Sequence, residues 1–171
     1  MTLAADIHRA AHLEGEFQLR SGKVSESYFD KYAFEADPAL LARVVEALVP
    51  LVPEGTEVLA GIELGGIPLV TLLSQRTGLP CAFIRKDAKS YGTCRYAEGT
   101  SLEGKRLALV EDVISTGGAL LDAIDKLKAD DIHPEVAIVV IDRETGGAQA
   151  LADVGVRLAA AFKQSELENA R

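Results

Sequence analysis

The chain has 171 residues, 48% hydrophobic and 26% charged, an ordinary globular composition at a length that suits one domain of ~100–200 residues. Eighteen Lys and Arg against 26 Asp and Glu give a net charge of −8, which argues against a general electrostatic hold on nucleic acid or an anionic membrane and leaves any anionic ligand to local positive groups. Two cysteines, Cys81 and Cys94, stand outside any CxxC pattern, so neither a disulfide scaffold nor a zinc site is expected, and a reducing cytoplasmic setting suits the chain. No apolar run approaches the ~18 residues of a membrane span. Asp6, Arg9, Glu14 and Glu16 fill the place of a signal-peptide core, and no repeat or linker marks a boundary within residues 1–171.

Leu3, Ile7, Ala10 and Ala11 predict a short amphipathic N-terminal helix. Phe17-Gln18-Leu19 and Tyr28-Phe29 flank a polar Ser21-Gly22-Lys23 turn, the pattern of a small hairpin or hood. Asp37-Pro38 supplies a cap and a first-turn proline, after which Leu40, Leu41, Val44, Val45 and Leu48 keep helical spacing until Pro50. A strand from Glu57 to Gly61, a glycine-rich turn, a helix from Ile67 to Thr77 and a strand from Cys81 to Ile84 follow. Leu107 to Val110 forms a further apolar strand ending in Glu111-Asp112. Leu120, Leu121, Ile124 and Leu127 mark the next helix. The run Val136 to Ile141 reads as a central parallel strand covered on both faces, which predicts an α/β doubly wound sheet with ligands outside its carboxyl edge.

The segment from Glu111 to Ala119 carries the most chemistry. Two acids precede a Ser115-Thr116-Gly117-Gly118 turn that opens a helix, whose free N–H groups and dipole favour a phosphate. Acids beside a phosphate nest conflict unless the ligand is a sugar phosphate, with hydroxyls for the carboxylates and its phosphate for the turn. The alternative is an ordinary connection capped by Ser or Thr. Arg85, Lys86 and Lys89 place three cations just after an apolar strand, fit to neutralise a leaving pyrophosphate. The polar segment Ala88 to Gly99 then reads as a mobile flap or as a solvated loop. Gly61 to Pro68 allows close backbone approach to pyrophosphate, or is merely a tight turn. Arg143 follows the most apolar strand, where its guanidinium fork suits a carboxylate ligand or a salt bridge to Asp142 or Glu144.

The segment Glu111 to Ala119 resembles the 5-phosphoribosyl-1-pyrophosphate (PRPP) motif of type I phosphoribosyltransferases, and the chain is similar to the orotate branch of that family from about Phe17 to Leu167. Further supports are Leu19 to Lys23, Tyr28 to Lys31, Gly61 to Pro68, Arg85 to Gly92, and Asp142-Arg143. The resemblance implies a single α/β domain over 1–171 with a central, mainly parallel sheet flanked by helices, a small N-terminal hood and a mobile catalytic loop. It implies transfer of phosphoribosyl from PRPP to orotate, giving orotidine 5′-monophosphate in pyrimidine biosynthesis. Mg²⁺ would ride on PRPP oxygens and water rather than in a protein cage. PRPP would meet Arg85, Lys86, Lys89, Tyr91, Glu111, Asp112, Val113, Ile114, Ser115, Thr116, Gly117, Gly118 and Ala119. Of these, Lys89 and Asp112 would be catalytic, with Glu111 and Asp112 on the ribose hydroxyls. Orotate would meet Ser115, Arg143, Arg20 and Phe29, the last of which also suits an apolar core position.

Tyr91 stands where many members have His, and Gly65 where some carry a basic residue. The family's loop Lys acts on the neighbouring subunit's site, which implies a homodimer. A transferase for another nucleobase and a PRPP-sensing regulator are the rival readings, and a regulator would want a nucleic-acid-binding element for which the acidic chain shows no place. The GxxxxGK match at Gly99 to Lys105 is declined, because Arg106 replaces the required hydroxyl and a strand follows. His8 and His12 share a helical face but lack a second ligand pair.

Overall fold

The computed structural model describes residues 2–18, 22, 24–87 and 96–170. Helix α1 (Leu3–Ala11) is capped by the Thr2 hydroxyl, which accepts from the Ala5 N–H. Strands β1 (His12–Gln18) and β2 (Val24–Phe29) pair antiparallel, His12 opposite Phe29 and Gln18 opposite Val24, and form the expected hairpin. The stacked rings of His8 and His12 lie 4.8 Å apart where α1 runs into β1. Helix α2 (Lys31–Ala36) starts at Asp30, and α3 (Pro38–Leu48) starts at Asp37, whose carboxylate accepts from the N–H groups of Ala39 and Leu40. Such a cap stabilises a helix by ~1 kcal/mol, and Pro38 sits where its missing N–H costs no bond.

Next come β3 (Val58–Ile62), α4 (Gly66–Thr77), β4 (Cys81–Ile84), β5 (Ala97–Gly99), β6 (Leu107–Ile114), α5 (Gly118–Ala129) and β7 (Val136–Asp142). The described chain closes with α6 (Gly147–Asp153), β8 (Arg157–Lys163) and α7 (Gln164–Asn169). Among the described residues the main sheet has the order β5-β4-β3-β6-β7-β8, parallel throughout except for β5, which pairs antiparallel on one edge.

The period-2 alternation of the strands divides the core between the two faces. Leu59, Ala108, Val110, Ile138 and Val140 pack with α1, α3 and α4, whereas Val58, Ala60, Leu107, Leu109, Ala137 and Val139 pack with α5 and α6. Leu48 and Leu127, one on each side, are wholly buried. Truncating either to Ala costs ~2–5 kcal/mol through lost transfer energy and the cavity left behind.

Two boundaries differ from the sequence reading. Strand β6 does not stop at Val110 but continues through both acids to Ile114, because β7 keeps pairing with it as far as Ile114 opposite Asp142. Residues Ala97–Gly99, expected in the flap, form β5 against β4. Their paired backbone outweighs a composition that carries no strand pattern.

Candidate active site

The unequal lengths of neighbouring strands build the site. β3 pairs with β6 only as far as Gly61 opposite Val110, so β6 carries Glu111, Asp112 and Val113 beyond its partner on one side while β7 still supports it on the other. Three adjoining cavities open along this edge. The first, about 490 Å³, is lined by Phe29, Lys31, Val113, Ser115 and Arg143, with His12, Ser25, Ser27, Tyr28, Gln164 and Glu168 around them. The second follows Glu111 and Val113 to Leu120 and shares Lys31, Val113 and Ser115 with the first. The third lies between Glu63, Arg85, Lys86, Asp122 and Lys126 and shares Gly118 and Ala119 with the second.

The turn from Ser115 to Gly118 leaves the start of a helix without a side-chain cap. Gly117, at the N-cap of α5, has φ 88°, a left-handed conformation that favours glycine, and no side chain caps the helix. The ordinary capped connection is therefore not what forms here, and the first N–H groups of α5 remain available with the positive end of its dipole. Two backbone bonds tie this turn to the next one: Arg143 N–H donates to Ile114 C=O, and Gly147 N–H donates to Ser115 C=O, each at 2.9 Å. Ser115 and Arg143 are brought into one cavity this way.

Arg143 is exposed and forms no ion pair with any described residue. The carboxylates it was expected to compete for are engaged elsewhere, Asp142 accepting from the Glu144 N–H and Glu144 from the Ser165 N–H. Phe29 packs partly on the core and also lines the first cavity.

The two acids of the motif, both expected on the ribose hydroxyls, differ in their partners in the structure. Asp112 is fully buried and ion-paired with Lys31, whose Nζ lies 2.7 Å from Oδ2 and 3.0 Å from Oδ1, while the Val113 N–H donates to Oδ1. Burial opposes the Lys31 ammonium, but its bond to Asp112 and the charges of Asp112 and Glu111 hold it above its ordinary range. Glu111 is 6% exposed, and burial together with the Asp112 charge pushes its carboxyl well above the usual range. Glu35, one helical turn after Lys31 on α2, reaches the same cluster. Burial and then Asp112 push it up to about 8. The cluster therefore pairs the Asp112 carboxylate with the Lys31 ammonium and makes Glu35 and Glu111 harder to ionise.

Gly65 backs this cluster. A Cβ on it would lie 1.7 Å from Asp112 Oδ2, so a side chain there requires the Asp112 carboxylate to move. Gly61 and Gly66 are equally close-packed, Gly61 against the Gly66 carbonyl and Gly66 against that of Val110, each at 2.4 Å from the added Cβ. The glycine-rich turn is thus a place where α4 lies directly on β3 and β6.

At the third cavity the backbone of Lys86 is clamped from both sides, its N–H donating to Glu63 and its carbonyl accepting from the Lys126 ammonium. The Arg85 N–H donates to Tyr96 C=O at 2.7 Å. Arg20, Lys89 and Tyr91 lie outside the described residues. Among those described, no three His, Cys, Asp or Glu side chains converge as a metal cage, and no helix is long and apolar enough to cross a membrane. Sequence reasoning gave no role to Lys31, Glu35 or Lys126. The i,i+4 spacing of Lys31 and Glu35 was the available signal, hidden by a helix of six residues.

The segment that carries the acid pair, the uncapped turn and Arg143 lies within the reach of a known family model. That model, described as a phosphoribosyl transferase domain, covers residues 33–154, and the chain belongs to the phosphoribosyltransferase family. It is 49% identical over 170 residues to an orotate phosphoribosyltransferase of Nocardioides sp., covering 99% of this chain and 95% of the relative. It is 40% identical to the orotate phosphoribosyltransferase of Methanocella arvoryzae over 90% of this chain and 87% of that one. The crystal structure of the Aeropyrum pernix orotate phosphoribosyltransferase superposes with a TM-score of 0.81 at 26% identity, covering 98% of each chain. The branch these relatives share is that of the orotate phosphoribosyltransferases.

Proposed function

We infer that this chain, acting as a single phosphoribosyltransferase domain, transfers the 5-phosphoribosyl group of PRPP to orotate, releasing pyrophosphate and forming orotidine 5′-monophosphate for pyrimidine biosynthesis. The observation that carries the reading is the cavity in which Arg143, free of ion pairs with any described residue, faces the same space as Phe29 and Ser115 beside an uncapped helix N-terminus. A bidentate guanidinium recognises the carboxylate that distinguishes orotate from uracil. The aromatic ring of Phe29 offers a flat apolar wall to a planar base.

In the reaction the C1–O bond to pyrophosphate breaks and a C1–N bond to the base forms, through an oxocarbenium-like state, while the proton on that base nitrogen is released to the pyrophosphate or solvent. The turn from Val113 to Ala119 holds the 5-phosphate, and Asp112, with Glu111 beside it, takes the ribose hydroxyls. The Asp112 carboxylate, 0% exposed, opposes the positive charge that develops on the sugar in a water-poor setting. Arg85, Lys86 and Lys89 receive the growing charge of the pyrophosphate, and Tyr91 adds a phenol donor. Arg20 assists at the base. Mg²⁺ enters with PRPP as part of the substrate.

The assay is loss of orotate absorbance with PRPP and Mg²⁺, with uracil, adenine and hypoxanthine as competitors. Preference for any of these over orotate overturns the reading. A homodimer in which each site borrows Lys89 from its partner completes the proposal. Mixing inactive Lys89→Ala and Asp112→Asn subunits then yields one intact site per mixed dimer and restores activity. With subunit exchange confirmed independently, no recovery rejects shared sites.

A further inference from the structure

Lys31 stands where two cavities of the site meet. Its side chain lines the one holding Phe29, Ser115 and Arg143 and also the one along the Val113 to Ala119 turn. Asp112 has no exposed surface, whereas the Lys31 side chain paired with it is 35% exposed. The Lys31 ammonium donates to Asp112 Oδ1 at 3.0 Å and lies 2.7 Å from Oδ2, which accepts no hydrogen bond among the described residues and is backed by Gly65. The ribose hydroxyls of a sugar phosphate therefore reach Asp112 by displacing the ammonium. A carboxylate so enclosed needs a counter-charge when the site is empty, because with no exposed surface it has no water to solvate its charge.

We propose that Lys31 is a transferable cation, which closes Asp112 in the empty site and is displaced by the ribose hydroxyls into the base cavity, where it joins Arg143 on the carboxylate of orotate. The inference rests on Asp112 being the ribose-binding carboxylate. An ammonium on a flexible four-carbon stem suits a change of partner, whereas a guanidinium fork is bound more rigidly by one carboxylate. The consequence is coupling between the two substrates. Occupation of the sugar site raises the affinity for orotate, and orotate raises the affinity for the sugar by the same factor.

The test is calorimetric titration of orotate with and without saturating ribose 5-phosphate, which carries the hydroxyls and the phosphate but no leaving group. The wild-type chain binds orotate at least about fivefold more tightly when the sugar phosphate is present. Lys31→Met abolishes that ratio. Asp112→Asn releases Lys31 without any sugar, so orotate alone binds as tightly as it does to the loaded wild type. Lys31→Arg keeps the ion pair, and with it the fold, and couples more weakly than the wild type. Absence of coupling in the wild type, or undiminished coupling in Lys31→Met or Lys31→Arg, overturns the proposal. If Asp112→Asn still binds ribose 5-phosphate normally, the ribose assignment itself fails. If it loses the sugar while the Lys31 variants keep the wild-type ratio, the transfer alone fails.

Discussion

Replacing Gly65 with alanine isolates a single contact at the centre of the site. The backbone there has φ −64° and ψ −33°, an ordinary right-handed helical conformation, so alanine brings no torsional cost. What it brings is a Cβ 1.7 Å from Asp112 Oδ2 and 2.3 Å from its Cγ, where real Cβ atoms essentially never come within 3.0 Å. The carboxylate must retreat by more than 1 Å, and that movement breaks contacts to Lys31 at 2.7 and 3.0 Å and to the Val113 N–H. Overpacking of this kind costs ~1–3 kcal/mol of stability. A displaced Asp112 also loses its bonds to the ribose hydroxyls, each charge-assisted and worth ~1.5–3 kcal/mol, so PRPP affinity falls about 10–150-fold. Thermal melts give the first quantity and calorimetric titration with PRPP and Mg²⁺ the second. Because the closest clash is with one carboxylate, Gly65→Ala costs less stability in an Asp112→Ala background than in the wild type, a non-additivity that a general packing defect does not produce. Wild-type PRPP affinity in Gly65→Ala would refute the placement of Asp112 in the ribose site.

Arg143→Ala removes one charge-assisted contact of ~1.5–3 kcal/mol and lowers kcat/KM for orotate about 10–150-fold. PRPP affinity measured by calorimetry barely moves, and an unchanged orotate constant counts against the carboxylate assignment. Glu35→Gln changes the pH dependence of stability. The Glu35 carboxyl, pushed up from 4.5 to about 8, contributes stability that is fully present below about pH 4.5 and is lost as pH rises through about 8, because the folded state resists giving up the proton. Wild-type melting temperatures therefore fall between pH 5 and 9 more steeply than those of Glu35→Gln, and parallel slopes in the two proteins refute the buried-acid reading.

The elements that form in sequence order by burial alone were legible in the sequence. The β-branched run from Val136 to Ile141 is fully buried, and the spacing of Leu40 to Leu48 places the buried face of α3. Strand β8 escaped notice because Arg157-Leu-Ala-Ala-Ala-Phe-Lys163 is alanine-rich and has no strand propensity of its own; pairing with β7 makes it a strand. Helices α2 and α7 have six residues each, too few for a 3.6-residue period to show. At the site, the position of the Ser115 to Gly118 turn and of Arg143 after apolar strands was legible from residue type, while their particular ligands came only from the family resemblance. The bond between Lys31 and Asp112 spans 81 positions and is invisible to local patterns, as is the burial that separates Glu111 from Asp112.

The close packing of Gly61, Gly65 and Gly66 also limits how this turn can vary. Two of its six positions, Gly61 and Gly66, meet backbone and admit no side chain, and Ile62 is committed to the core at 5% exposure. Gly65 meets only the Asp112 side chain, so a residue with a side chain there requires that carboxylate to move, while Glu63 and Leu64 face outward. Glu63 already clamps the Lys86 N–H, which leaves Leu64, 65% exposed, as the position where the turn can diverge without disturbing either the sheet or the cationic cleft.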